Sequence, residues 1–145
     1  MLHTWYVIFR SCAGAVIVTG RVPPGSVRAA EARRRSNMDH ETATDIWRQI
    51  RSSTLTDLRQ DLVDLAVRYA RIRVDYSLAD AEERGRLDAD RSACHNALIA
   101  ACDILARNMA QRGEDAGWRQ RLGHDRKQIG DFACLLHAML GLAAR

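Results

Sequence analysis

Between Leu55 and Ala79 the apolar side chains recur as Leu55, Leu58, Leu62, Leu65, Tyr69, Ile72, Tyr76 and Ala79, with steps of 3 and 4 in strict alternation. A repeat averaging 3.5 residues draws one continuous seam along an α-helix and conflicts with the period of 2 that a half-buried strand requires. Asp57, Arg59, Asp61, Asp64, Arg68, Arg71, Arg73 and Asp75 fill the other faces. Asp64 and Arg68 stand at i,i+4, a spacing that supports a helix by a few tenths of a kcal/mol. Ser53 or Thr54 is expected to cap the helix start. A seam this long must be covered, either by the other helices of a bundle core or by a second copy of the chain, with Tyr69 and Tyr76 as anchors.

The remaining sequence supplies such helices. Both prolines stand together at Pro23 and Pro24, so nothing after them interrupts helix formation in the way proline does. A shorter helix is expected over Glu41–Ser52, with Ile46, Trp47 and Ile50 on one side. Beyond Tyr76 the seam lapses and Gly85 is read as a break. A third helix follows from about Leu87 to Arg112, striped by Leu87, Cys94, Leu98, Cys102, Leu105 and Met109 and stopped by Gly113. Residues 114–123 read as a short helical turn carrying Trp118 and Leu122, Trp118 and Trp47 being core plugs. A last helix spans Asp125–Leu142, capped by Asp125, with Ile129, Phe132, Ala133, Leu136, Met139 and Leu140 inside. No segment alternates with period 2, so no sheet is expected. The fold expected is all-α: a bundle of about four helices with a short extra helical turn.

The charge of the chain, +4, is unevenly placed. Residues 1–37 hold six arginines and one acid; residues 38–145 hold sixteen basic and seventeen acidic residues. The body therefore lacks the basic footprint of a nucleic-acid binder. The apolar run in residues 1–20 is divided by Arg10 into pieces shorter than the ~20 residues of a membrane span, and its order is wrong for a secretory signal. Charge, proline content and periodicity all change at Met38. Residues 1–37 are accordingly read as a leader or tail, extended or disordered and outside the fold, and residues 38–145 as a single helical-bundle domain whose natural start is Met38. Cys12, Cys94, Cys102 and Cys134 lack paired metal-site spacing and are read as reduced thiols of a cytoplasmic protein. With 21 Arg and only Lys127 as Lys, the composition fits a GC-rich bacterial genome.

Nucleotide-binding glycine loops, a zinc-protease helix motif and a nucleophile elbow are all absent from the sequence, as is a pair of Glu-x-x-His elements for a di-metal site. No cofactor and no metal are expected. A polar set remains on the third and last helices: Arg91, His95, Asp103, Arg107, Arg126 and Asp131. Arg91 with His95, and Asp103 with Arg107, share i,i+4 spacing and hence one helix face each. One reading is a pocket between these helices for an anionic small molecule, His95 acting as acid or base and Arg107 and Arg126 holding the anion. The other is a salt-bridge network that fixes how the two helices dock.

The runs HNALIAACDILARNM, WRQRLG and DRKQIGDFAC resemble an uncharacterised bacterial family of small helical proteins, a domain of unknown function. The resemblance covers about a third of the chain and implies a helical fold without assigning an activity. The run LRQDLVDLAVRYARI is similar to the long helix of the helical chorismate mutases, which bind a dicarboxylate with Arg and Lys. That family's central lysine has no counterpart, since Lys127 lies on the last helix. The leading expectation is a non-catalytic cytoplasmic bundle that acts through self-association or a protein partner, with no nucleic-acid or membrane partner. The alternative is a small enzyme or ligand-binding domain built on the Arg/His pocket.

Overall fold

A computed structural model describes the backbone of residues 38–143 and the side chains of residues 38–141. The expected leader at residues 1–37 lies outside the described residues, as does Cys12. Five helices follow in order: α1 (His40–Ser52), α2 (Thr56–Leu78), α3 (Ala81–Gln111), α4 (Trp118–Leu122) and α5 (Arg126–Ala143), with no strand among the described residues. The all-α bundle read from the sequence is the fold observed.

Helix α2 is the centre of the assembly. It packs along α3 on one side and α5 on another, while α1 rests on α4 and α5. The α2 heptad seam divides between two environments. Leu62 and Tyr69 are buried together with Ala66 and Ala70, whereas Leu55, Leu58, Leu65, Ile72 and Tyr76 are only half-buried. The core face is thus rotated from the strict seam toward the alanines, because α2 is contacted from two sides and a bundle helix buries a stripe wider than a two-helix seam. The core continues through Leu98, Cys102, Leu105 and Met109 of α3, Trp118 and Leu122 of α4, and Ile129, Phe132, Ala133 and Leu136 of α5. Trp118 is fully buried and its indole N–H donates to the Met109 sulfur at 3.4 Å; Trp47 packs at the core margin.

Helix ends follow local chemistry with two departures from expectation. Asp39 caps α1 by accepting from the Thr42 N–H at 2.7 Å, and Asp125 caps α5 by accepting from the amides of Lys127 and Gln128. Gly113, at φ 76°, closes α3 with its amide on the Ala110 carbonyl and the Glu114 amide on that of Met109, the Schellman arrangement. At α2 neither Ser53 nor Thr54 is the cap; the cap position is Leu55, without a side-chain bond. Thr54 turns instead to Glu114, which accepts from both its amide and its hydroxyl, and Arg59 donates to the Arg51 and Ser53 carbonyls at 2.9 Å each. The Thr54 bonds tie the α1–α2 corner to the loop after α3, and the Thr54 hydroxyl above all holds the Glu114 carboxyl below the usual range.

Gly85 is not a break. Helix α3 starts at Ala81, four residues before it, and runs on through it. The Asp80 carboxylate accepts from the Glu83 amide at 2.9 Å, and Glu82 and Glu83 sit where the helix dipole favours acids. Those contributions outweigh the roughly 1 kcal/mol a helical glycine costs. The sequence signal was misleading because the first turns of α3 are exposed almost all round, so they carry no apolar stripe.

Candidate functional site

The six polar side chains singled out in the sequence are distributed over separate parts of the bundle. Arg91 and His95 lie on α3 where it faces α2, with Arg126 of α5 close by. The Arg91 guanidinium sits 3.8 Å above the Tyr76 ring and pairs with Asp88 at 2.6 Å. The buried His95 ring stands 5.7 Å from that of Tyr69, inclined by 58°. Arg126 donates to the Ser92 hydroxyl at 2.5 Å. Burial pushes the His95 pKa down, the positive charge of Arg126 pushes it further, and Asp125 opposes both. His95 Nδ1 and Arg91 Nε have no protein hydrogen-bond partner.

Asp131 belongs to a different contact, between α5 and α2. Both terminal nitrogens of Arg73 reach its Oδ1, at 3.3 and 3.4 Å, and Lys127 approaches its Oδ2 at 3.6 Å. Gly130 makes the approach possible: a Cβ there would lie 1.7 Å from Arg73 Nη1. Asp103 belongs to a third contact. It accepts from Arg119 Nε at 2.6 Å, and Arg119 Nη1 donates to the Gly123 carbonyl, also at 2.6 Å. Asp103 and Arg107, which share a helix face by spacing, do not pair, and Arg107 is exposed with no ion pair among the described residues. Arg91 likewise turns to Asp88 rather than to His95.

In the sequence Arg73 is read only as a charge flanking the apolar seam and Arg119 only within the WRQRLG run; neither is among the six polar side chains singled out. Arg119 is the one buried Arg or Lys among the described residues, next to Trp118 in the WRQRLG run. An arginine adjacent to a buried tryptophan in a five-residue helix was the available signal. The thiol of Cys102 is pushed up to about 12 by burial, so it is a core side chain and no nucleophile. Among the described residues no group of three or more His, Cys, Asp or Glu is placed to hold a metal ion, and no helix is long and apolar enough to cross a membrane.

A further feature emerged only in three dimensions. Between α2 and α3, lined by no residue of α5, a groove of about 590 Å³ is floored by Leu58, Leu65, Ala97, Ala100, Ala101 and Ile104, with Asp61, Asp64 and Arg68 along its rim. A second depression of about 550 Å³ shares Asp64 and Arg68 and continues past Val67, Arg71 and Ile72. Ile104 is 44% exposed. The Asp64–Arg68 pair expected from spacing is not made; Asp64 accepts from Gln60 at 2.9 Å instead. No ion pair among the described residues engages Asp61, Arg68 or Arg71. No family model matches the chain, and no curated protein or solved structure matches it either.

Proposed function

We propose that this chain is a non-catalytic cytoplasmic helical-bundle protein that works by protein contact through the α2–α3 face, either with itself or with another chain. The observation that carries the reading is the groove: an apolar floor that includes half-exposed Ile104, rimmed by Asp61, Asp64 and Arg68, which make no ion pair among the described residues. Leu58, Leu65 and Ala101 pack against the core with one side and leave the other along the groove beside exposed Ile104, an uncovered apolar strip that suits an interface. The body of the protein carries nearly balanced charge, which favours a protein partner over nucleic acid or an anionic membrane.

A photo-cross-linking amino acid installed at Ile104 tests this in intact cells. A covalent protein adduct is expected there and none from the same residue at His137, an exposed position on α5. Absence of an adduct at Ile104, or equal adducts at both positions, overturns the reading.

A second reading retains three of the sequence-derived residues. Arg91, His95 and Arg126 form an anion-binding corner, favoured by the buried His95 Nδ1 that lacks a protein partner beside a cation. Titration of inorganic phosphate followed by the His95 ring resonances checks it. A saturable shift that disappears in Arg126→Ala supports the corner; unchanged resonances remove it.

A further inference from the structure

The outer face of α2 has an internal order that says more than that it binds protein. Leu58, Leu65 and Ile72 repeat at intervals of seven along it, all half-buried, so they form one row parallel to the helix axis. At a rise of 1.5 Å per residue the row is about 21 Å long. Leu65 is its midpoint. Over the central turns the charges beside the row are polarised about that same midpoint: Asp61 and Asp64 come before it and Arg68 and Arg71 after it, with the exposed acids Asp57 and Asp75 outside them at the two ends. None of Asp61, Arg68 and Arg71 makes an ion pair among the described residues.

A surface that is apolar along its centre, with acids just before its midpoint and bases just after it, is complementary to itself over those central turns when turned end for end. Two-fold symmetry generates that arrangement and makes each contact occur twice. Building on the reading of the groove as a protein-binding surface, we infer that its occupant is a second copy of this chain, with the two α2 helices antiparallel about an axis level with Leu65. In this register Leu58 of each copy meets Ile72 of the other, and the two Leu65 side chains meet at the axis. Asp61 of one copy falls between Arg68 and Arg71 of the other, and Asp64 lies next to Arg68. The apolar floor supplied by Ala97, Ala101 and Ile104 of α3 walls the row on one side. A parallel arrangement in register sets Asp61 against Asp61 and Arg68 against Arg68, and like charges at a close interface are disfavoured. An unrelated partner has no reason to require the symmetry about Leu65; a second copy does.

Charge exchange on the full chain tests the antiparallel dimer. Wild type is expected to sediment as a dimer at about 100 µM, within the range of weak self-association. The double variants Asp61→Arg/Asp64→Arg and Arg68→Asp/Arg71→Asp are each expected to weaken the dimer by at least about tenfold. Mixed together, they are expected to form a heterodimer, because every pair is then opposite in sign again. Misfolding cannot produce that recovery, and far-ultraviolet circular dichroism of each variant is expected to match wild type. Should one swapped pair lose helicity, Ile104→Arg replaces it and is expected to be monomeric. Dimers that persist in both double variants overturn the inference, as does failure of the mixture to associate when wild type dimerises. A wild-type monomer at that concentration also overturns it. The Ile104 cross-link separates the two claims: an adduct to a different protein leaves the groove as a binding surface, and no adduct removes both.

Discussion

Helices α2 and α3 have two apolar faces, and the faces differ in what closes them. Inward, Leu62 and Tyr69 meet Leu98, Cys102 and Leu105 at essentially zero exposure, and the rest of the bundle seals them. Outward, Leu58 and Leu65 border an open groove with Ile104. The charged residues divide the same way. Arg119, inside, is fixed by Asp103 and the Gly123 carbonyl, while Asp61, Arg68 and Arg71, outside, make no ion pair among the described residues. An apolar stripe therefore has two meanings within one helix pair: stability where neighbours cover it, recognition where they do not.

Substitutions can break this contrast, beginning with the largest effect. Leu98→Ala on the inner face is expected to cost about 2–5 kcal/mol, seen as a lower urea midpoint, because a fully buried leucine leaves a cavity. If Leu65→Ala costs as much, the two faces are not distinct. Arg119→Ala comes next, at about 2 kcal/mol by the same measurement: it frees Asp103 and the Gly123 carbonyl together, but Asp103 is partly exposed and recovers water. Gly85→Ala is expected to raise stability by about 1 kcal/mol, since the position is helical and a Cβ there meets nothing within 4 Å. Ile104→Arg is expected to leave the unfolding midpoint within about 0.5 kcal/mol of wild type while abolishing association.

The mildest perturbation is one proton on His95. Its folded pKa lies below the ordinary histidine value, chiefly because burial disfavours the imidazolium. The unfolded chain therefore binds that proton more readily, and the stabilising contribution is complete above about pH 6.5 and lost as pH falls toward the folded pKa. Urea midpoints measured across that window are expected to decline with acidity, and His95→Phe is expected to remove that component. An identical slope in the variant assigns it to another group.

Much of the fold was legible in the sequence because its signals are local. Asp125 and Gly113 each act within a turn or two of chain and end their helices as read, and the seam of α2 forms the long helix it draws, although the buried face turns from it toward Ala66 and Ala70. Gly85 misled because glycine's helix penalty is small beside a well-placed cap, and the cap at Asp80 lay outside the stretch taken as helical. The candidate site was read less well, for a physical reason. Spacing shows that Asp103 and Arg107 share a face, but not that Arg119, on another helix, offers Asp103 a closer and more sheltered partner. Arg73 and Asp131 are 58 positions apart, and the groove takes its floor from two helices, so neither follows from any one helix's periodicity.

The absence of a side chain at position 130 has a consequence for how this sequence can change over time. The Arg73 guanidinium occupies the space where a Cβ would stand. A lineage that acquires alanine or anything larger at 130 must redirect or shorten the residue at 73, and Asp131 then loses its main counterion. Positions 73, 130 and 131 are expected to vary together among descendants of this chain, with glycine retained wherever arginine is.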